Sequence, residues 1–260
     1  MRALLLALAL AGSAAPAPAA AFDVQRALTV SQAAIGRTVG DHVLVRSDGT
    51  RLRLSELAGT PLLVSLVYTG CYQVCPTTTR QLLRVARLAR EALGPGRFRV
   101  LVVGFDTVQD TPEAMRAYAR RQGAAGEPDW IFASADEATV RALARDLGFV
   151  YERAPQGFDH LLQVTLLDGS LRVRRQLYGD ALTAPQLVEP LKQIVYGEPV
   201  GRGLVAEIAD RVRLFCTTYD PATGAYRFDY SLFIGLAIAT LILLSTLAFL
   251  VRELRRRGAS

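Results

Sequence analysis

Pro61-Leu62-Leu63-Val64-Ser65-Leu66-Val67-Tyr68-Thr69-Gly70-Cys71-Tyr72-Gln73-Val74-Cys75-Pro76 is the stretch from which the fold of this chain can be read. Pro61 to Tyr68 is a short, almost wholly apolar run, as a strand buried on both faces of a sheet requires. A polar break with one glycine follows and delivers two cysteines. Pro76 suits the first turn of a helix and disfavours helical geometry at the residue before it. Strand, loop and helix in immediate succession form the repeating unit of an α/β domain. Its thiols stand at the carboxyl end of a strand, where such sheets hold their ligand and redox sites.

Outward from this unit the same alternation continues. Downstream, Leu82, Leu83, Val85, Ala86, Leu88, Ala89 and Leu93 mark one side of a helix that Gly94-Pro95-Gly96 stops. Phe98 to Phe105 predicts a second buried strand. Thr111-Pro112-Glu113 opens a helix, with Thr111 as cap and Pro112 at its first position. Ala135 to Leu147 predicts another, closed by Gly148. Leu161–Leu167 and Leu171–Leu177 flank Asp168-Gly169-Ser170 as a hairpin, and Pro185 to Tyr196 is a last helix. Upstream, Val43-Leu44-Val45 and Leu52-Arg53-Leu54 flank Ser47-Asp48-Gly49 as an N-terminal hairpin extension. Strands alternating with helices predict a largely parallel sheet covered on both faces, and the closing hairpin and helix make it thioredoxin-like. This domain covers residues 31–197.

The ends of the chain carry targeting signals. Arg2, the apolar run Ala3–Ala11 and the small residues Ala19-Ala20-Ala21 before Phe22 have the layout of a secretory signal peptide over residues 1–21. Residues 198–230 form a juxtamembrane linker, with an amphipathic stretch from Leu204 to Leu214 and a turn-rich piece from Asp220 to Gly224. Residues 231–251 carry no charge and are long enough for a transmembrane helix, which needs roughly 20 residues. Arg252, Arg255, Arg256 and Arg257 follow in a tail over 252–260 that tends to stay cytoplasmic. The two signals agree: the body lies outside, in the periplasm, and the tail inside. The formal charge is +6, but the arginines are scattered along amphipathic segments. That is the pattern of solvated helix faces, not of nucleic-acid binding.

The chain has three cysteines and, outside the ends, two histidines, His42 and His160. So few cysteines exclude a disulfide-dense scaffold, and free thiols in an oxidising compartment need a reason. Cys75 falls at a helix N-terminus, where the helix dipole favours thiolate and lowers the thiol pKa. Three intervening residues let the loop turn Cys71 back toward it. Two thiolates make a soft site, suited to Cu(I) and acceptable to zinc, or they can close a disulfide. His160 follows the turn Pro155-Gln156-Gly157 and opens a strand that a thioredoxin-like sheet places beside the cysteine strand. That makes it a candidate third ligand or a polar strand-end residue. His42, after Asp41 in a turn, reads as a surface residue. Cys216, in the linker, can be a buried thiol, an intermolecular bridge or an extra ligand. With only Met1 and Met115, a methionine-rich copper site is excluded.

Thr69-Gly70-Cys71-x-x-x-Cys75-Pro76, Phe105-Asp106 ahead of Asp110-Thr111-Pro112-Glu113, and Asp159-His160 before the strand Leu161–Asp168 together resemble the Sco/SenC family, copper proteins of cytochrome c oxidase assembly. The resemblance spans about Gly36 to Tyr196. It implies copper, as Cu(I) or Cu(II), held by Cys71, Cys75 and His160, with Asp106 as the family's strand-end aspartate. It implies a metallochaperone with a copper donor and with cytochrome c oxidase subunit II, through its binuclear site, as acceptor. Two features depart from the family: Leu161 where a serine often follows the histidine, and an anchor at the C-terminal end. The alternative is a thiol-disulfide oxidoreductase that reduces the acceptor's cysteines before metallation. The three-residue spacing argues against it, since redox enzymes of this fold usually place two residues between their cysteines. A peroxidase gives His160 no task, and a membrane sensor would need a partner beyond so short a tail.

Overall fold

The computed structural model describes residues 22–71, 74–179, 182–197, 217–220, 225–228 and 230–257. The signal peptide, Cys216 and the stretch from Leu204 to Leu214 lie outside them.

Among the described residues nine strands and five α-helices build the main domain: α1 (Val24–Gln32), β1 (Val43–Arg46), β2 (Arg51–Arg53), β3 (Leu62–Val67), α2 (Val74–Leu93), β4 (Arg99–Gly104), α3 (Pro112–Arg121), β5 (Trp130–Ser134), α4 (Glu137–Leu147), β6 (Tyr151–Ala154), β7 (Gly157–His160), β8 (Gln163–Leu167), β9 (Val173–Tyr178) and α5 (Ala184–Gly197). Seven strands form one sheet in the order β2-β1-β5-β4-β3-β8-β9. β3 is parallel to β4, and β4 to β5, while β8 runs antiparallel to β3. The N-terminal hairpin extends this same sheet, β1 pairing antiparallel with β5.

Every residue of β3 is buried, and so are the last five of β4. Those two strands are the centre of the sheet, covered on both faces, which is why their sequences do not alternate. Thr111 caps α3 through its side chain with Pro112 at the first position, and α4 ends at Gly148. The α/β reading and its thioredoxin-like core therefore hold.

Four of these elements, α1, β5, β6 and β7, are absent from the sequence reading. α1 has no strong apolar stripe, and buried polar contacts dock it: the Ser31 hydroxyl donates to Gln163 Oε1 at 2.7 Å, and Gln176 donates to the Ser31 carbonyl at 3.3 Å. β5 is short and follows a turn-rich segment. β6 and β7 form a separate two-stranded sheet. His42 also corrects its reading as a surface residue, because its side chain is only 15% exposed and pairs with Asp146 at 2.7 Å.

Beyond the main domain, β10 (Thr217–Asp220) and β11 (Ala225–Phe228) pair antiparallel across the predicted turn. Helix α6 runs from Ser231 to Arg257. Its described side chains from Phe233 to Leu247 are all exposed. Among the described residues no helix is long and apolar enough to cross a membrane; the side chains at 248–251 lie outside that set.

Candidate metal centre

The cysteine loop begins where β3 ends, and a buried carboxylate ties it down. Thr69 donates from its amide and its hydroxyl to Asp110 Oδ1, at 2.8 and 2.7 Å. The Asp106 amide donates to the other oxygen at 2.8 Å. Asp110 is 2% exposed. Burial pushes its carboxyl up, against the pull of these hydrogen bonds. Gly104 makes room for it: a Cβ there would stand 2.4 Å from Asp110 Cβ. Asp106 and Asp110, two aspartates of the recognised motif, thus work at the end of β4 as a clasp on the loop.

The two cysteines come together at the start of α2. The Cys75 amide donates to Cys71 Sγ at 3.3 Å, so Cys71 occupies the helix terminus that Cys75 was expected to hold. Cys71 is half-buried and Cys75 is buried at 3% exposure. This corrects the expected thiol chemistry. Burial, joined by the neighbouring Cys71 thiol, pushes the Cys75 thiol far up, and a hydrogen bond from the Tyr68 backbone only partly opposes it. The helix dipole favours a thiolate, but removal from water costs the charged form more here. In the metal-free chain Cys75 is therefore a protonated thiol.

His160 ends β7 instead of opening the strand beside β3, which corrects its predicted place; the neighbour of β3 is β8. Its ring packs against Phe105 and Phe149, with centroids at 5.5 and 5.4 Å. Burial lowers its pKa, so it is neutral at pH 7. Its Nδ1 lies 2.8 Å from the Leu161 carbonyl oxygen. A carbonyl can only accept, so Nδ1 carries the proton and Nε2 keeps its lone pair. Metal-binding histidines are prepared in this way, with the second ring nitrogen donating to a carbonyl or carboxylate.

Among the described residues no three His, Cys, Asp or Glu side chains lie close enough to hold a metal together. The structure joins Cys71 to Cys75 and holds His160 apart. Tyr68 touches both parties. Its ring stands edge-on to His160 at 6.2 Å. Burial first, and then a hydrogen bond to the Cys71 thiol, push its hydroxyl up to about 12, while the Phe158 amide donating to it pulls the other way. Gly157, at φ +123°, leaves no room above that hydroxyl, since a Cβ there would lie 2.7 Å from it. Nothing in the residue pattern marks Tyr68 beyond its place at a strand end.

The SCO1/SenC family model matches residues 31–196. A solved protein of Aquifex aeolicus VF5, assigned to electron transfer, is 28% identical over 65% of this chain and 98% of its own, with a TM-score of 0.57. ScoI of Bradyrhizobium japonicum, solved with copper bound, is 22% identical over 60% of this chain and 99% of its own, at 0.52. BsSco, of the Sco family of cytochrome c oxidase assembly proteins, is 16% identical over 63% of this chain and 96% of its own, at 0.54. At such identities the last two bear on the fold. No curated protein matches the sequence. With the matched region spanning the whole sheet, the cysteine loop and His160, this chain belongs to the SCO1/SenC family.

Proposed function

We propose that this chain is a copper metallochaperone that takes one copper ion from a donor and passes it to the binuclear site of cytochrome c oxidase subunit II. The observation that carries the reading is the donor set. Two sulfurs meet at the start of α2, and across Tyr68 a neutral imidazole keeps Nε2 uncommitted. Two thiolates and an imidazole suit copper in either common oxidation state. Solved proteins of the same fold carry copper, and one is described as serving oxidase assembly. Copper is cargo here: Cys71, Cys75 and His160 would hold it and yield it ligand by ligand.

Residues 1–21 would send the body to the periplasm, and residues 231–251 would hold it in the membrane with the arginine-rich tail inside. The exposed apolar side chains of α6 fit that anchoring. One span then confines the search for the acceptor to the membrane surface.

The closeness of the two thiols favours a second reading, a thiol-disulfide oxidoreductase. In that reaction the two thiols close a Cys71–Cys75 disulfide as the acceptor's disulfide opens to two thiols. The test mixes copper-loaded full chain, in neutral detergent, with a reduced, copper-free subunit II domain, and then with an oxidised one. The chaperone reading expects copper to move to the reduced acceptor and His160→Ala to abolish the transfer. Reduction of the oxidised acceptor at an undiminished rate by His160→Ala, with no copper moved by the wild type, replaces it with the second reading.

A further inference from the structure

Cys71 opens into a cleft of about 640 Å3 that Thr69, Arg80, Tyr118, Arg121 and Gln122 also line. Among the described residues its charged lining is two guanidinium groups and no carboxylate. Both arginines are exposed. Arg80 reaches only the neutral amide oxygen of Gln122, at 3.5 Å, and Arg121 lies over the Tyr118 ring at 6.0 Å. Among the described residues neither stands in an ion pair. The contrast lies on the same helix: Arg87 and Arg90, farther along α2, are both held by Glu127. A second arginine-lined cleft, with Arg46 and Arg116, includes Asp48 in its own wall, and in a third, with Arg141 and Arg145, Arg141 is paired with Glu137 at 2.7 Å. Positive charge is thus left uncompensated beside the half-exposed thiol.

We infer that this cleft binds a small ligand with at least two carboxylates and, resting on the chaperone reading above, that the ligand is a copper chelate which surrenders its metal at Cys71. The cleft has the size of a small-molecule site, about 300–1,000 Å3. Two guanidinium forks match two carboxylates in charge and geometry. The transfer is a ligand exchange. Copper–oxygen bonds break as copper–sulfur bonds form, the thiol protons pass to the freed carboxylates or to solvent, and the copper keeps its oxidation state. No oxidant or reductant is needed.

The test uses the reduced full chain in neutral detergent at low salt. Metal-free citrate is titrated calorimetrically against wild type, Arg80→Gln/Arg121→Gln and, as a control, Arg46→Gln/Arg116→Gln. The expected result is saturable binding that weakens with added salt. It falls about tenfold or more in the first pair, is restored in part by Arg80→Lys/Arg121→Lys, and is unchanged in the control. It persists in Cys71→Ser/Cys75→Ser, which separates the anion site from the metal site. Absence of saturable binding, or an equal fall in the control pair, overturns the site. Copper uptake is then followed from copper(II) citrate and from the uncharged copper(II) bis-glycinate. The Arg80/Arg121 pair should slow the first about tenfold and leave the second unchanged. Equal slowing of both overturns the chelate as cargo form. If citrate binds through the two arginines but neither chelate gives up copper to the wild type, the chaperone reading fails and the anion site stands.

Discussion

Tyr68 has one hydroxyl and two obligations, the Cys71 thiol and the Phe158 amide. Tyr68→Phe removes both bonds and leaves a half-buried amide unsatisfied, at a cost of about 1 kcal/mol. The same change releases Cys71, so alkylation of Cys71 by iodoacetamide should speed up while the buried Cys75 stays slow. Equal reactivity of the two cysteines in wild type would contradict the burial argument. The other half of the centre should answer to pH. Burial holds the His160 pKa below its ordinary 6.5, so above that value neither folded nor unfolded chain gains a proton there. Below it the unfolded chain takes up the proton first, and stability falls with falling pH until the folded pKa is reached. Denaturant titrations of the metal-free chain between pH 7 and 5 should show this slope, and His160→Gln should flatten it. Of these residues, the cysteines and His160 are legible because their chemistry is rare in this composition. Tyr68 is not, because nothing in a strand-end tyrosine announces what its hydroxyl reaches.

The cysteine loop depends on elements distant from it in sequence. The end of β4 carries Gly104, and the following turn carries Asp110, which the Thr69 amide and hydroxyl grip. Gly104→Ala must push Asp110 aside and should cost about 1–3 kcal/mol as an overpacked site. Asp110→Asn puts an amide NH2 where an acceptor is needed, and should cost a similar ~1–3 kcal/mol. Urea unfolding measures both, and a neutral effect of either would show that the clasp does not hold the loop. β3, β4, α3 and α4 are legible because their apolar patterns and caps agree. β5 is not, since its pairing with β4 and β1 is a tertiary fact that a short apolar run after a turn does not declare. Nor is the β6–β7 hairpin: the turn at Pro155-Gln156-Gly157 is visible, but the strand after it closes on β6 before the main sheet resumes at β8. His160 is displaced in the reading for that reason. The Cys75 thiol departs from its expected chemistry for a related reason, because the dipole of α2 is a local property and the burial of Cys75 is not.

In the whole molecule the core and the apolar tail are separate. Every buried core residue of the main cluster lies between Val39 and Tyr196, while the exposed apolar side chains of α6 begin at Phe233. A chain ended after Tyr230, which keeps β11 against α2, should therefore remain soluble without detergent and keep its thermal midpoint within about 4–8 °C, the shift that ~1 kcal/mol produces in a small domain. The full chain should partition with membranes. A truncated chain that aggregates would show that the C-terminal segment completes the fold instead of anchoring it.

The central claim, a copper site made of Cys71, Cys75 and His160, is tested most directly by copper stoichiometry and affinity of the reduced full chain, loaded without oxygen, beside His160→Ala. The account predicts one copper per chain. The substitution should weaken it by more than the ~10–100-fold that loss of an outer hydrogen-bond partner costs a metal site. Copper bound equally well without the imidazole, or not bound by the wild type, would contradict it.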